Sequence, residues 1–442
     1  MTFPGAALTV AAVVAFGYFV ALNALYLLFA VIAWRSLGEH LHRHTFSTQD
    51  EVFAFPFTPG ITVLLPAFNE EQGIVDSVRS LLALRYPLHE IIVINDGSAD
   101  RTLERLREEF QLVPAFRASR ATLRTALTRG TYISRRHRNL WVIDKENAGK
   151  PDALNTGINA AHYDYVCAID ADSVLDRDAL LQVVAPILDD PGLVVATGGI
   201  VRIANGCVIK NGQLTDVRLP AGRIAVLQVI EYFRAFLIGR VAWTRLNALL
   251  IVSGAFGLFQ RAILEDVGGY WTGTVADDVE LVIRIHRYLR RRRVPYRVVF
   301  VPEPVCWTEA PESLRGLAHQ RRRWHRGFGE ALWRHRAVFG NPAYGSLGLL
   351  AFPYFAIFEF FGPVVEVAGI LVTAAAFATG RVSLAFLIAF LVTALLVGIG
   401  ISIAALVLEE FNFRRHPAAR DVARMIVYSV VENLGARQFM DA

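Results

Sequence analysis

The apolar positions of this chain follow two regimes. Thr2 to Trp34 holds no charged residue, a run long enough to cross a hydrocarbon layer of roughly 30 Å as a helix. Between Phe57 and about Pro342 the apolar residues come instead as short β-branched runs: Ile61–Leu65, Ile91–Ile94, Leu140–Ile143, Tyr165–Ile169 and Leu193–Ala196. Each ends in Gly, Asp, Asn or Pro. Helical periodicity fills gaps between them at Glu71–Leu84 and Ala99–Phe110. Such alternation predicts a mostly parallel, Rossmann-like α/β sheet with ligands at the carboxyl ends of its strands. Ala115–Arg138, rich in Arg, Ser and Thr, breaks the rhythm and reads as an exposed excursion. Lys210–Gly212 reads as a hairpin turn.

Toward the C-terminus the apolar runs lengthen again. Leu347–Gly380 is apolar apart from Glu359 and Glu366 and contains Pro353 and Pro363, while Val382–Leu408 is uncharged. Three spans are expected in all, with Glu359 and Glu366 as channel-lining suspects because intramembrane acids are costly. Met425–Val431, between Arg424 and Glu432, is too short to span and fits an interfacial helix. Arg223–Arg240 and Arg315–Arg336 combine apolar and aromatic positions at helical spacing with many arginines, as amphipathic helices on a membrane surface do.

Composition agrees with this division. Hydrophobic residues make up 54% of 442 and the mean hydropathy is +0.39, so part of the chain is expected in lipid. No basic residue precedes the first apolar run, unlike a cleaved signal peptide, and the run is read as a retained transmembrane helix. Arg35, Arg43 and three histidines follow the first span, Arg414 and Arg415 follow the last, and only Arg381 lies between the second and third. The positive-inside rule then puts the central region and the C-terminus in the cytoplasm. The expected location is a plasma (inner) membrane, multi-pass. Cys167, Cys207 and Cys306 lack paired spacing, which suits free thiols in a reducing compartment. The net charge of +5 is concentrated in runs such as Arg290–Arg293 and Arg321–Arg323. These suit phosphates or anionic headgroups. With no interleaved aromatics and no groove-entering motif, a nucleic-acid partner is excluded.

Candidate chemistry gathers at the strand ends. In Ala168–Ser173, "AIDADS", Asp170 and Asp172 stand one residue apart; in an extended strand they would point the same way. Two such acids raise each other's pKa unless a cation lies between them. Alone, the pair reads either as a helix cap with solvated acids or as a divalent-cation site holding a diphosphate. The chain has three lysines, Lys145, Lys150 and Lys210, and two of them fall in "KENAGKPDALNTG" (Lys145–Gly157). In an arginine-biased chain this points to a compact ammonium beside a phosphate or carboxylate. "VADDVEL" opens a helix running to about Arg290, with Asp277 and Asp278 in its first turn. Gln320, Arg323 and Trp324 share one helical face.

The ordered set "PAFNE" (Pro66–Glu70), "NDGS" (Asn95–Ser98), "KENAGKPDALNTG", "DAD" (Asp170–Asp172), "ADDVEL" (Ala276–Leu281) and "QRRRW" (Gln320–Trp324), flanked by apolar spans, resembles the membrane-embedded processive family 2 glycosyltransferases. These are the cellulose, chitin, hyaluronan and poly-N-acetylglucosamine synthases. The resemblance runs from Phe57 to the third span. It implies an N-terminal transmembrane helix over 1–35, a cytoplasmic GT-A-type α/β domain over 57–310, amphipathic interface helices over 311–345, and transmembrane and interfacial helices over 346–442.

The resemblance also implies a UDP-sugar-dependent hexosyltransferase that passes a growing β-linked polysaccharide across the membrane with inversion. Phe68, Glu70 and Asp96 would lie at the nucleoside. Lys145, Lys150, Asp170, Arg321 and Arg322 would lie at the diphosphate, with Mg²⁺ or Mn²⁺ on Asp172. Asp278 would be the general base with Asp277 beside it. Ser253 and Gly254 of "SGAFGLF", with Gln320, Arg323 and Trp324, would meet the acceptor. Ala276 stands where the family carries threonine, which puts fine acceptor positioning in question. Ser253 replaces the cysteine usual in cellulose synthases, so cellulose is disfavoured. Membrane lipids are expected partners, and an accessory subunit completing the pore is left open. Two other functions are weighed: single addition to a polyprenyl-phosphate or glycolipid, and a non-catalytic subunit or transporter.

Overall fold

In a computed structural model, residues 3–44, 58–412 and 419–436 are described. Arg414, Arg415 and the expected domain start at Phe57 lie outside them. The chain opens with α1 (Phe3–His44). It then builds β1 (Ile61–Ala67), α2 (Ile74–Leu82), β2 (His89–Asp96), α3 (Thr102–Phe110), β3 (Leu112–Pro114), β4 (Thr128–Ser134) and β5 (Leu140–Lys145). Next come α4 (Lys150–Ala160), β6 (Tyr165–Ile169), β7 (Val174–Leu175), α5 (Ala179–Asp189), β8 (Val194–Ile203), β9 (Val208–Lys210), β10 (Gln213–Asp216), α6 (Arg223–Phe233) and α7 (Val241–Arg245). The unit closes with β11 (Phe256–Gln260), α8 (Arg261–Asp266), α9 (Asp277–Arg291), β12 (Arg297–Thr308) and α10 (Leu314–Arg334).

Ten strands form one sheet in the order β3-β4-β5-β2-β1-β6-β11-β8-β12-β7. The strands expected from β-branched runs are present. In the parallel stretch β5-β2-β1-β6, β1 and β6 are buried on both faces, as expected under helices on both sides; the one polar residue of β1, Thr62, donates to Glu90. The expectation of a mostly parallel sheet is corrected at its flanks: β11 runs antiparallel to β6 and β8, and β4 antiparallel to β5 and β3. β4 also corrects the reading of Ala115–Arg138 as an excursion. Its TRGTYIS sequence, second from the sheet's edge and only partly buried, alternates too weakly to stand out. The Lys210–Gly212 turn is a hairpin between β9 and β10, with Asn211 and Gly212 at φ 52° and 71°, the left-handed pair that a two-residue turn demands.

Between β1 and β6 the strand order reverses direction. That switch point is where open α/β sheets leave a crevice at their carboxyl ends. The "PAFNE" loop leaves β1 there and the "DAD" turn leaves β6.

Helices α1 and α13 (Leu384–Phe411) are long and apolar enough to cross a membrane. A third span results if α11 (Leu347–Phe360) and α12 (Gly362–Ala378), bent by 54° at their junction, count as one. The bend falls at Phe361, just before Pro363, where a proline ring forbids a continuous helix. α14 (Ala419–Val431) buries Met425 and Ser429 and packs on α6 and α13.

The surface-helix reading of Arg223–Arg240 is corrected. α6 and the π-wound turns Arg234–Arg240 that extend it are wedged between the sheet and the C-terminal helices, with Phe233, Phe236, Leu237 and Ile238 buried. Their arginines find acids instead of headgroups: Arg234 bonds Glu432 at 2.7 Å. In the same layer Arg202 of β8 is ion-paired with Glu409 of α13, both buried.

Candidate active site

The cleft is built from four strand ends and two helix starts. Asn69, at φ 58°, turns the "PAFNE" loop so that it clasps the "NDGS" loop. Its side chain accepts from the Ala99 N–H at 2.9 Å, and its own N–H donates to Ser98 Oγ at 3.0 Å. Gly97 sits at φ 66°, and a Cβ there would come within 2.7 Å of the Asn147 nitrogen, so only glycine lets this loop approach the Lys145–Gly157 segment. Phe68 is left 49% exposed at this rim. Glu70 is held by its N–H to Thr102 Oγ1 at 2.9 Å. Desolvation first, then Asp172, Asp100 and Asp170, push its carboxyl upward.

Two nucleotide-side residues turn inward. Asp96 is the last residue of β2 and pairs in register with Lys145 of β5. Lys145 Nζ lies 2.6 Å from Asp96 Oδ1 and 2.8 Å from Asp152, with its side chain fully enclosed. The other Asp96 oxygen accepts from the Gly149 N–H at 2.7 Å. Asp96 and Lys145, both expected at the donor, are turned to each other here. Together they brace the loop that begins α4.

That loop delivers Lys150. Its ammonium reaches Asp170 at 2.6 Å and the Gly254 carbonyl at 3.1 Å. Desolvation pulls its pKa down, but Asp170, Asp277 and Asp278 outweigh it and hold the lysine charged above its usual range. Asp170 and Asp172 do not continue β6 as an extended pair. They occupy a turn closed by the Ser173 N–H on the Asp170 carbonyl at 3.1 Å, so strand parity does not govern them. Asp170 faces Lys150, whereas Asp172 stays exposed, accepting from Ser173 Oγ at 3.2 Å. Desolvation and Asp170 raise its pKa.

Antiparallel pairing of β11 with β6 sets Ser253–Ala255 against this turn, and the Asp170 N–H donates to the Ala255 carbonyl at 3.2 Å. Ser253 Oγ accepts from the Ala255 N–H at 3.2 Å, so it shapes the loop. A methyl on Gly254 would lie 3.1 Å from Asp278 Oδ2. Asp277 and Asp278 open α9, where the helix dipole favours anions. Desolvation first and Asp277 second raise the Asp278 pKa, against the pull of Lys150.

Gln320, Arg323 and Trp324 lie along α10. Trp324 is 38% exposed, Arg322 and Arg323 are exposed, and Gln320 Oε1 is buried with no hydrogen-bond partner among the described residues. Arg321 is not turned to the diphosphate side. It forks onto Glu231 of α6, one bond measuring 2.6 Å, with its guanidinium 4.9 Å from the Trp324 ring.

Three contributors escaped the sequence reading: Glu231, Arg240 and Asp152. Arg240 is pulled down to about 10 by burial, against the opposing field of Asp278. Glu231 meets a partner ninety residues away, which no local spacing marks, while Asp152 meets Lys145 only seven residues before it, inside the same loop-and-helix motif.

Fold and site together define a GT-A-type scaffold: a switch-point cleft, an Asp-X-Asp turn and a carboxylate-headed helix facing it. Residues 62–268 match the model of Glycosyl transferase family 2. It is 35% identical over 277 residues to the poly-beta-1,6-N-acetyl-D-glucosamine synthase of Staphylococcus aureus, covering 62% of this chain and 56% of that protein. It is 32% identical over 278 residues to the synthase of the same name from Staphylococcus epidermidis, with the same coverage. The chain thus spans about half the length of these relatives. The solved mannosyltransferase PcManGT from Pyrobaculum calidifontis, in complex with GDP-Man and Mn²⁺, shares the fold with a TM-score of 0.56 at 19% identity. The match covers 97% of this chain and 99% of that one.

Proposed function

We propose that the protein is an inverting, processive hexosyltransferase that adds sugar from a UDP-sugar to a growing β-linked polysaccharide, at a membrane and on its cytoplasmic side. The observation that carries this reading is the convergence of Asp278, Gly254, Lys150 and Asp170, with Asp172 exposed on the same turn. The named activity of the staphylococcal relatives makes UDP-N-acetylglucosamine the first donor to try. Their named product, a polymer, favours processive over single addition.

In this reading Phe68 and Glu70 rim the nucleoside pocket. Lys150 is the cation that meets the donor's diphosphate, exchanging Asp170 for a phosphate oxygen. Asp172 is an oxygen donor suited to a hard divalent ion, Mg²⁺ or Mn²⁺. Among the described residues no three carboxylate, imidazole or thiolate groups converge as a complete ligand set, so the fit is to an ion that shares its ligands with the donor's phosphates. When bound, such an ion neutralises charge on the departing diphosphate. Asp278, with its pKa raised, takes the proton from the acceptor hydroxyl as the hydroxyl attacks the anomeric carbon opposite the UDP. Trp324 offers the acceptor sugar a flat stacking face, and Arg323 is exposed one residue before it.

The test is UDP release by the purified protein in nanodiscs, across UDP-N-acetylglucosamine, UDP-glucose, UDP-glucuronate and UDP-galactose, followed by product sizing. Release with long product is expected for one donor. Release with a single sugar added to lipid would establish the single-addition alternative, and no release from any donor would leave the non-catalytic one.

A further inference from the structure

Two residues beyond Asp278, and about 200° around α9 from it, Glu280 is fully buried. An enclosed carboxylate is costly unless several donors satisfy it, and here they come from three directions. Arg284, one turn along, sets Nε 3.1 Å from each oxygen and a terminal nitrogen 2.7 Å from Oε2. The same guanidinium donates to the carbonyls of Val267 and Gly269. The segment so gripped continues into Tyr270, whose N–H and C=O are both bonded by the amide of Asn155, at 2.7 and 2.8 Å. Asn155 lies on α4, the helix that begins with Lys150.

From the other side comes the end of α10. His335 Nε2 lies 3.2 Å, and Arg334 Nε 3.4 Å, from Glu280 Oε1. Arg287 donates to His335 Nδ1. A guanidinium has no acceptor, so Nδ1 must accept, and the imidazole proton sits on Nε2, pointing at Glu280. His335 is therefore a neutral donor, and desolvation lowers its basicity in the same sense.

We propose that Glu280 is a positioning residue: its carboxylate fixes, relative to one another, the three helices that carry Lys150, Asp278 and Trp324. This rests on the reading of those three as diphosphate, base and acceptor groups. Release of UDP to water needs the donor side alone, whereas transfer to a sugar needs all three helices aligned. Loosening the anchor therefore separates the two outcomes.

The experiment compares Glu280→Gln with wild type in the full-length protein in nanodiscs, using UDP for binding and UDP-N-acetylglucosamine for turnover. The amide keeps the shape but turns one acceptor into a donor facing other donors. UDP affinity should stay within about 2-fold, while sugar transfer drops by about 10–10²-fold, the scale of a small misplacement of reacting groups. UDP released without a matching transferred sugar should rise. His335→Gln, which keeps an N–H toward Glu280, should preserve most of the coupling, and His335→Ala should resemble Glu280→Gln. A proportional fall of UDP binding, UDP release and transfer would make Glu280 merely structural and overturn the proposal. So would a folded Glu280→Gln that transfers normally. If Glu280→Gln does not fold, the histidine pair decides: wild-type coupling in His335→Ala overturns it. Asp278→Asn is run alongside. Activity there sinks the underlying reading, whereas a dead Asp278→Asn beside a normal Glu280→Gln sinks this inference alone.

Discussion

Asp278 carries the sharpest expectation among single residues. Its pKa is raised by desolvation and by Asp277, and a base works only when ionised. Activity should therefore fall with decreasing pH through a midpoint above the ordinary aspartate value of about 4. Removing the neighbouring charge in Asp277→Asn lowers that pKa, so the acid limb of the kcat/KM profile should move to lower pH; a shift upward would reverse the argument. Asp172→Asn should abolish the gain in UDP affinity that Mn²⁺ gives the wild type, as read by titration calorimetry. Equal Mn²⁺-dependent UDP binding in the variant would remove Asp172 from the ion. Much of this site was legible because loops at parallel strand ends converge whatever lies between them. What was not legible is direction. Lys145 and Lys150 look alike in sequence, yet one closes a strand against Asp96 and the other opens a helix onto the cleft. Arg321 found Glu231, ninety residues upstream, and no spacing rule anticipates that.

Between elements, the contact that sets α10 against the start of α9 is Gly327 on Ala276. A Cβ at Gly327 would meet the Ala276 Cβ at 2.6 Å and its nitrogen at 2.9 Å. Backbone cannot yield there as a flexible side chain would. Gly327→Ala should cost about 1–3 kcal/mol, the usual penalty of overpacking, seen as a lower melting temperature. Sugar transfer should fall with it, since Trp324 moves away from Asp278. The same contact bears on Ala276 standing where the resembled family carries threonine: the position is 8% exposed and packed on Gly327, with little room for a larger side chain. The sequence pattern identified α2, α3, α9 and α10 and strands β1, β2, β5, β6 and β8, but not β12, which runs parallel to β8. It missed β4, second from the sheet's edge, and it misread α6 and the turns that extend it, where Arg234 suggested a lipid headgroup but reaches the buried Glu432. Amphipathic spacing reports that a face is covered, not what covers it.

For the whole molecule, the buried Arg202–Glu409 pair joins the sheet to α13. Glu409→Ala breaks this pair beside a guanidinium that is 3% exposed, and losing one partner of a buried pair typically costs roughly 3–5 kcal/mol. Replacing both partners with apolar residues, Arg202→Met with Glu409→Leu, should restore thermal stability in detergent to near the wild-type value. A double variant as unstable as the single one would mean the pair contributes more than its own neutralisation. Arg234 makes a second such bond to Glu432, and Arg424 a third, donating to the carbonyls of Pro220 and Ala221 at 3.0 and 2.7 Å. A body held at three separate contacts has little freedom to swivel. The cleft and the C-terminal helices must therefore lean together, and helices lean according to the thickness of the bilayer around them. If the proposed activity and membrane placement hold, lipid acyl length sets how the cleft meets the membrane surface, and turnover should peak at one bilayer thickness and decline on both sides of it.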